Sequence, residues 1–359
     1  MILKNHLIYM ERAIELAKLG GTNVSPNPKV GCVLVKDNII IGEGFHEKYG
    51  GPHAEENAIK NSFVSPQDSI AYITLEPCCI ESKTSSCTKL LFENGVKEVF
   101  VSMIDPNPKI SGDGIKELKS YGIKVNIGLC KGEAEKLNKG FVKWIKKGRP
   151  WVIAKVAQSS NGYLGIDNRT QTLISSKESL KEVHDLRSKV DAVMVGRNTA
   201  LIDNPKLTVR YVKGSNPLRV VLDTNRQLPL NINLFRDGQS ETLVLCSQRN
   251  FLKSRTSFCK YIPIKEESGM LSLDHVLLAL AQEGITTLLV EGGAELMNSF
   301  LKNDLIDELI IFTSSKNLDN ANLKNPIKID ENWEVVSNVN LGQDNMINAL
   351  RKIECLQES

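Results

Sequence analysis

Histidine, glutamate and cysteine side chains occur along this chain in the order that zinc-dependent base deaminases use. His53 and Glu55 form the H-x-E half of that signature, and Pro77-Cys78 forms the P-C half. At such a site three protein ligands hold Zn²⁺ and leave the fourth tetrahedral position to water, whose pKa the metal lowers toward neutrality. A glutamate that is not a ligand moves the protons. The pattern therefore predicts a hydrolytic zinc site, with Glu55 as its acid–base group.

The third zinc ligand has two candidates, Cys79 and Cys87. Cys79 is adjacent to Cys78, and neighbouring cysteines rarely reach one metal with good geometry. Cys87 begins a predicted helix, and a helix N-terminus stabilises the thiolate that binds a metal. A lone histidine is usually structural and H-x-E alone occurs by chance, but the ordered combination favours zinc with Cys87 as the third ligand.

The composition is that of a globular protein with more than one domain. The chain has 359 residues, 41% hydrophobic and 24% charged, with a formal net charge of +3. This charge is too small to indicate nucleic-acid binding or an acidic membrane surface, and no apolar run approaches the roughly 20 residues that span a bilayer. The start of the chain carries charges where a signal peptide would be apolar. We therefore expect a cytoplasmic protein, whose clustered thiols stay reduced and act as ligands.

Predicted strands and helices alternate through the first 130 residues, and they would position these side chains. Such alternation indicates an α/β layered sheet. An amphipathic helix opens the chain, with Met10, Ile14 and Ala17 at helical spacing. The predicted strands that follow are 30–35, 38–45, 69–77, 96–104 and 123–129, and the predicted helices are 53–61, 87–95, 112–122 and 133–148. Pro150 disfavours helix at the residue before it, so we place a boundary near 148–150, between domains at 1–148 and 149–359.

The second half continues the alternation and becomes richer in strands toward its end. The predicted strands are 151–159, 191–196, 218–223, 242–247, 286–293, 307–315 and 348–356, and the predicted helices are 176–189, 273–284 and 294–303. Gly292 and Gly293 lie between a strand and a helix, where a ligand can approach the backbone and helix N–H groups can bind phosphate, although such a pair is often only a tight turn. No G-x-G-x-x-G occurs at a suitable position. Lys155, within the apolar run VIAKVA, needs a partner if it is buried.

Over nearly its whole length the chain resembles the bifunctional deaminase/reductase family of riboflavin biosynthesis. The matching stretches are SPNPKVGCVLVK (25–36), GEGFHEKYGGPHAEENAI (42–59), YITLEPC (72–78), DPNPKISGDGI (105–115), LNKGF (137–141), GRNTALIDNPKLTVR (196–210) and LVEGGAELMNSFL (289–301). That family separates its two cysteine ligands by eight residues, as Cys78 and Cys87 are here, rather than by C-x-x-C spacing. The resemblance implies an α/β chain, with a three-layer domain like cytidine deaminase followed by a domain like dihydrofolate reductase.

The resemblance also implies roles for individual residues. His53, Cys78 and Cys87 would hold zinc, and Glu55 would be the proton shuttle. Substrate contacts would come from Asn27, His46 and Lys83 in the first half and from Lys155, Gln171, Arg187, Leu207, Arg210 and Glu291 in the second. Contacts to NADPH, the hydride donor, would come from Ala157, Leu173, Thr199, Asp203, Gly293, Ala294, Glu295, Leu296, Met297, Asn298 and Ser299. Taken alone, each arginine would be a solvated surface charge, but guanidinium forks suit a substrate that ends in a ribose phosphate.

The implied function is a two-step conversion of a phosphoribosylaminopyrimidine. The first step is hydrolytic deamination of 2,5-diamino-6-(5-phosphoribosylamino)pyrimidin-4(3H)-one, and the second is NADPH-dependent reduction of the ribosyl side chain to ribityl. The alternatives are a reductase with a weakened deaminase, a nucleic-acid base deaminase fused to a reductase-like domain, and a non-catalytic module with structural zinc, which Glu55 disfavours. We further expect a homo-oligomer.

This chain departs from the family pattern between its two cysteines. The family usually reads S-H-x-G-[RK]-T-P-P there, and this chain reads CIESKTSS. The family has histidine, glycine, proline, proline, aspartate and tryptophan where this chain has Ile80, Ser82, Ser85, Ser86, Asn161 and Leu173. Because Ile80 cannot hydrogen-bond a ring or ribose oxygen, we expect an active deaminase of weaker or altered selectivity.

Overall fold

The computed structural model describes residues 2–80, 86–108, 110–166, 174–251 and 258–352. It divides into two compact units, Met1–Gly148 and Arg149–Ser359. Gly148 ends the last helix of the first unit with a φ of 66°, a left-handed conformation that glycine adopts without the steric cost of a side chain. Arg149-Pro150 follows directly, and a new strand begins at Trp151.

Helices and strands alternate through the first unit, as the periodicity predicts. The helices are α1 (Ile2–Leu19), α2 (Ala54–Lys60), α3 (Cys87–Glu93), α4 (Asp113–Ser120), α5 (Lys131–Leu137) and α6 (Lys139–Lys147). The strands are β1 (Gly31–Lys36), β2 (Ile39–Phe45), β3 (Ile70–Leu75), β4 (Glu98–Met103) and β5 (Lys124–Ile127). Met10, Ala13 and Ala17 recur at helical spacing on α1 and are fully buried, so one face of this helix packs on the sheet.

The strands of the first unit form one sheet in the order β2-β1-β3-β4-β5. β1 pairs antiparallel with β2 and β3, whereas β3, β4 and β5 are parallel. Side chains alternate across a strand, so Cys32 and Leu34 face α2, α3 and α4 while Val33 and Val35 face α1. Helices therefore cover both faces, and the predicted three-layer arrangement is confirmed.

One prediction in this unit is wrong, because the helix expected over 133–148 is two helices. α5 ends at Leu137 and α6 begins at Lys139, with Asn138 between them at φ −105° and ψ 18°. The Asn138 amide accepts a hydrogen bond from Lys29 N (2.8 Å) and donates one to Lys29 O (2.9 Å). This partner lies 109 residues away in the chain, so local periodicity carries no signal of the break.

The second unit has more strands than helices. Its helices are α7 (Lys177–Ser188), α8 (Arg197–Ile202), α9 (Asn233–Arg236), α10 (Leu273–Gln282) and α11 (Ala294–Lys302), with a 3₁₀ turn at Gln248–Asn250. Its strands are β6 (Trp151–Gln158), β7 (Tyr163–Gly165), β8 (Ala192–Gly196), β9 (Leu218–Leu222), β10 (Thr242–Ser247), β11 (Lys260–Ile264), β12 (Glu266–Glu267), β13 (Met270–Leu271), β14 (Thr287–Val290), β15 (Glu308–Thr313), β16 (Leu323–Lys324), β17 (Trp333–Leu341) and β18 (Asp344–Arg351).

A nine-stranded sheet in the order β11-β10-β9-β8-β14-β6-β15-β18-β17 forms the centre of the second unit. The strands from β11 to β15 are parallel, and β18 and β17 complete the sheet antiparallel. α10 and α11 bury Leu277 and Phe300 against one face, and α7 and α9 bury Val183 and Phe235 against the other. β14 lies between β8 and β6, so three carboxyl strand ends meet at one edge, where open α/β sheets bind their ligands.

The late strands show where local patterns fail. β18 begins at Asp344, earlier than the predicted 348–356, and positions 353–356 lie outside the described residues. β17 was not predicted, because Val335, Val336 and Val339 do not alternate with polar residues as they would in a half-buried strand. In the structure all three valines are exposed. Among the described residues, no helix is both long and apolar enough to cross a bilayer.

Candidate active sites

Three potential metal ligands, each at the end of a helix or strand, converge in the first unit. His53 is the N-cap of α2, Cys78 follows β3, and Cys87 is the first residue of α3, as the sequence predicted. His53 Nδ1 lies 3.2 Å from Cys87 Sγ and 3.5 Å from Cys78 Sγ, and all three ligand atoms lie within 4.8 Å of one another. Two sulfurs and an imidazole nitrogen are donors that zinc prefers, and three of them leave a position open, so this set fits a catalytic zinc ion.

Protons and a metal compete for this cluster. The contact with Cys78 raises the pKa of His53 to about 9 and also raises the pKa of the Cys87 thiol, so a bound Zn²⁺ would displace a proton from each. The contact with the Cys87 thiol lowers the pKa of Cys78 to about 4, and the Cys87 backbone N–H also donates to Cys78 Sγ at 3.4 Å. Glu55, in the first turn of α2, is buried, and this burial raises the pKa of its carboxyl to about 6. The Glu55 carboxyl contacts the Cys87 thiol, so it lies next to the three converging ligands without being one of them.

Sequence reasoning missed Glu76, which holds the strand end that carries Cys78. The buried Glu76 carboxylate accepts hydrogen bonds from the backbone N–H groups of Asp105 (3.1 Å), Gly112 (3.0 Å) and Ile115 (3.3 Å). These bonds join the end of β3 to the start of α4. The acidic residue directly before Pro77-Cys78 was the available signal, but its partners are distant in the chain.

Asn27 and His46 lie beside the cluster. Because His46 Nδ1 donates to Pro52 O (2.9 Å), its Nε2 is free of a proton and accepts from Asn27 Nδ2 (3.1 Å). Burial lowers the pKa of His46, so the ring is neutral. The His46 ring stands edge-on to His53, with centroids 5.7 Å apart. The structure thus brings these two predicted residues to the metal ligands.

The segment between the cysteines is described only at its ends. Lys83, with Ser82 and Ser85, lies outside the described residues. Ile80 is 59% exposed. Ser86, where the family has proline, is the N-cap of α3, and its Oγ accepts a hydrogen bond from Lys89 N at 3.4 Å. The helix that begins with Cys87 therefore keeps a cap despite the replacement.

In the second unit, Glu291 directly follows β14 and pairs with the buried Arg187 and the partly buried Lys155. Arg187 Nε and Nη2 donate to its two oxygens at 2.6 and 2.9 Å, and Lys155 Nζ lies 3.3 Å from Oε2. The Glu291 side chain is 8% exposed. Burial alone would raise the pKa of Glu291, but the charges of Arg187 and Lys155 outweigh it and lower the pKa to about 2. Lys155 thus has the partner that its apolar strand requires.

The segment after α8 lies against α7. Arg187 Nη1 donates to Thr208 O (3.3 Å), and Arg210 Nη1 donates to Thr208 Oγ1 (3.0 Å). The Leu207 side chain is buried in the core and its backbone has a φ of 53°, so a ligand can reach only its backbone. Arg210 is exposed.

Among the predicted cofactor residues, Thr199 and Asp203 lie on α8 and at its end, and those from Gly293 to Ser299 lie at the start and along the first turns of α11. Thr199 Oγ1 lies 3.7 Å from the position that a Cβ on Gly293 would take, and a Cβ on Gly292 would lie 2.8 Å from Leu296. A side chain at Gly292 would therefore displace the first turn of α11. Asp203 is the C-cap of α8, and burial raises its pKa.

Not every predicted contact can be made by a side chain. Met297 is fully buried in the core beneath α11, so only its backbone faces a ligand. Ser299 Oγ donates to Glu295 O (2.9 Å) within the helix. Ala157 lies on β6, two positions beyond Lys155. Gln171 and Leu173 lie outside the described residues.

Comparisons with known proteins agree with this geometry. The family model of the cytidine and deoxycytidylate deaminase zinc-binding region matches residues 3–103, and that of the RibD C-terminal domain matches residues 150–345. The riboflavin biosynthesis protein RibD of Buchnera aphidicola subsp. Baizongia pistaciae is 37% identical over 349 residues, which cover 93% of this chain and 92% of the relative. The chain belongs to the RibD family.

Other RibD proteins extend the match. RibD of Escherichia coli is 35% identical over 86% of this chain and 87% of its own length. The solved structure of Acinetobacter baumannii RibD has a TM-score of 0.86 and 33% identity, covering 98% of this chain and all of that chain. The diaminohydroxyphosphoribosylaminopyrimidine deaminase/5-amino-6-(5-phosphoribosylamino)uracil reductase of Thermotoga maritima has a TM-score of 0.87 and 31% identity, covering 97% of this chain and 99% of that chain. Membership of the RibD family confirms the predicted resemblance and the predicted α/β fold class.

Proposed function

We propose that this chain is a bifunctional enzyme of riboflavin biosynthesis. It deaminates 2,5-diamino-6-(5-phosphoribosylamino)pyrimidin-4(3H)-one and then reduces the ribosyl side chain of the product to ribityl with NADPH. The Thermotoga maritima relative carries both activities in its name, and the match spans both units. The observation that carries the proposal is the convergence of His53, Cys78 and Cys87 next to the buried Glu55. A purely structural zinc site has no need of such a carboxylate.

In the first unit the side chains bind the metal, orient the pyrimidine and move protons. His53, Cys78 and Cys87 hold Zn²⁺, which when bound lowers the pKa of water in its open position. Glu55 takes the proton released as water adds to the amino-bearing ring carbon and delivers it to the nitrogen that leaves as ammonia. Both ring nitrogens of the neutral His46 are bonded, to Pro52 O and to Asn27, so His46 orients Asn27, whose amide can hydrogen-bond the pyrimidine.

In the second unit NADPH, when bound, supplies the hydride for the anomeric carbon of the ribose. The first N–H groups of α11 lack intrahelical acceptors, as at every helix start, and they would hold a phosphate of the cofactor. Glu291 stays ionised because of Arg187, so its carboxylate can accept hydrogen bonds from ribose hydroxyls. Arg210, exposed and carrying further N–H donors, binds the ribose phosphate.

The altered segment between the cysteines changes selectivity rather than metal binding. Ser86 keeps the cap of the helix that presents Cys87, so the metal ligands are retained. Ile80 offers no hydrogen bond where the family has histidine. The deaminase is therefore active, but weaker or differently selective.

The enzyme acts in the cytoplasm as a homo-oligomer on a small molecule and does not bind nucleic acid. Reduced thiols, which zinc ligation requires, persist in that compartment, and a formal net charge of +3 is too small to indicate nucleic-acid binding. Salt-sensitive RNA binding, or the mass of a single chain in solution, would contradict this part of the proposal.

The test is an assay that follows ammonia release and NADPH oxidation separately on the purified zinc-loaded chain. Glu55→Gln should abolish ammonia release while zinc content and NADPH oxidation with the deaminated product stay unchanged. Glu56→Gln, a matched change one position along the same helix, should leave both reactions intact. Wild-type protein that contains zinc, oxidises NADPH with the deaminated product and yet releases no ammonia would refute the deaminase.

A further inference from the structure

His184 is a buried histidine that neither proposed reaction uses. It lies on α7 one helical turn before Arg187, and its side chain is only 2% exposed. Residues at this spacing share one helix face, so His184 and Arg187 both face the segment that carries Arg210.

Two hydrogen bonds fasten that segment to α7. Arg187 Nη1 donates to Thr208 O at 3.3 Å, and the backbone N–H of Arg210 donates to His184 Nδ1 at 2.9 Å. The second bond fixes the backbone from which the Arg210 side chain extends. Tyr211 closes over the imidazole edge-on, with ring centroids 4.6 Å apart, so little water can compete for the bond.

The bond requires one particular state of the imidazole. Because Nδ1 accepts the hydrogen bond from the Arg210 backbone N–H, it cannot carry a proton, and the neutral ring must hold its hydrogen on Nε2. Burial, together with the charges of Arg187 and Arg210, lowers the pKa of His184 to about 4. The neutral acceptor is therefore the state present near neutral pH.

We propose that His184 is a positioning residue, which through its bond to the Arg210 backbone sets the Arg210 guanidinium for the phosphate of the reductase substrate. Arg210 also donates to Thr208 Oγ1 at 3.0 Å, so the guanidinium is oriented from two sides and keeps further N–H donors for a ligand. The inference rests on the proposed reductase function and specifies how that site recognises a phosphorylated substrate.

Two nearly isosteric variants isolate the acceptor. In His184→Asn, Oδ1 is attached to Cγ as Nδ1 is in histidine, so it can accept the same bond. His184→Leu has a similar shape and no acceptor. Both lose the ring contact with Tyr211, so the difference between them reports the hydrogen bond alone. His184→Gln, whose acceptor lies one methylene farther out, tests the same point if the leucine variant does not fold.

The measurement is steady-state reductase kinetics with 5-amino-6-(5-phosphoribosylamino)uracil and with its dephosphorylated analogue. His184→Leu and His184→Gln should raise KM for the phosphorylated substrate about 3- to 10-fold, the range of one net hydrogen bond. Their kcat should change less than about 2-fold, and His184→Asn should restore KM to within about 2-fold of wild type. KM for the analogue, and ammonia release by the first unit, should be the same in all variants.

Arg210→Gln separates failure of this inference from failure of the proposed function. If Arg210→Gln leaves KM for the phosphorylated substrate unchanged, Arg210 does not bind the phosphate, and both statements about this residue fail. Suppose instead that Arg210→Gln raises KM for the phosphorylated substrate. If the His184→Leu and His184→Gln variants then leave this KM unchanged, or raise KM equally for the phosphorylated substrate and the analogue, His184 is not a positioning residue. In the double variant His184→Leu/Arg210→Gln, the leucine should add no further increase.

Discussion

Replacing Glu291 by glutamine should destabilise the second unit by about 3 kcal/mol. The ordinary pKa of 4.5 falls to about 2 in the fold. At roughly 1.4 kcal/mol per pH unit, this lowering corresponds to about 3 kcal/mol of stability. Removing one member of a buried ion pair typically costs about 3–5 kcal/mol, because the remaining charge stays buried without compensation. Here the charges left behind are Arg187 and Lys155, whose side chains are 11% and 15% exposed.

The loss of stability can be measured by urea unfolding of the full chain, followed by tryptophans that lie in the second unit. Of the three tryptophans, only Trp144 lies in the first unit, so a Trp144→Phe background makes Trp151 and Trp333 reporters of the second. With a urea dependence of about 2–3 kcal/mol/M, Glu291→Gln should lower the midpoint by about 1–1.5 M. Glu283→Gln, which removes an exposed pair with Lys260, should change stability by less than about 0.5 kcal/mol.

Wild type and Glu291→Gln should also differ in how their stability depends on acid pH. Because the folded pKa of Glu291 lies below the unfolded one, its contribution is complete above about pH 4.5 and is lost as the pH falls toward about 2. Wild type should lose this stability over that window, and Glu291→Gln should lack this part of the change. Equal midpoints for Glu291→Gln and Glu283→Gln, or identical acid profiles for wild type and Glu291→Gln, would refute the reasoning.

Three further results are expected. Asn138→Ala should destabilise the first unit by about 1–3 kcal/mol, since two hydrogen bonds to Lys29 are lost. Hydrogen exchange in α5 and α6 should become faster. An unchanged urea midpoint and an unchanged exchange rate would contradict the role of Asn138 in joining these helices to Lys29. Ser86→Ala should cost about 1 kcal/mol through the lost cap, seen as a lower urea midpoint for zinc release, whereas Ser65→Ala on an exposed loop should not. Chelation with dipicolinate should stop ammonia release and spare NADPH oxidation, with zinc restoring the first activity; ammonia release by metal-free protein would contradict a zinc-dependent step.

The metal cluster was predictable because the H-x-E and P-C motifs identify His53 and Cys78, and because each ligand lies at the end of a helix or strand. His53, Cys78 and Cys87 stand at a helix start, just after a strand and at another helix start, and these ends follow from short-range periodicity. The partners of Glu76 and Asn138 were out of reach, because their hydrogen bonds join backbone segments 29 to 109 residues apart. Such contacts depend on how elements pack, which local spacing does not encode.

The reductase site was predictable in its residue types but not in its geometry. The apolar run around Lys155 required a partner, but the sequence does not identify it until β14 is placed beside β6 and β8. That strand order puts Glu291 at the edge where Lys155 and Arg187 meet. His184 gave no sequence signal, since a single buried histidine on a helix is usually only a packed residue.

Both units place a buried carboxylate at the carboxyl end of a parallel strand, and the two carboxylates act on different partners. Glu76 accepts three backbone N–H groups, so it fixes the chain that presents Cys78 without adding charge contacts to the site. Glu291 pairs with two cationic side chains, so it fixes charges that a substrate meets directly. Loss of Glu76 should therefore affect metal retention and stability together, whereas loss of Glu291 should also change substrate binding at a pH where the fold is intact. A Glu76→Gln variant that retains zinc and stability while losing deamination would show that this distinction is wrong.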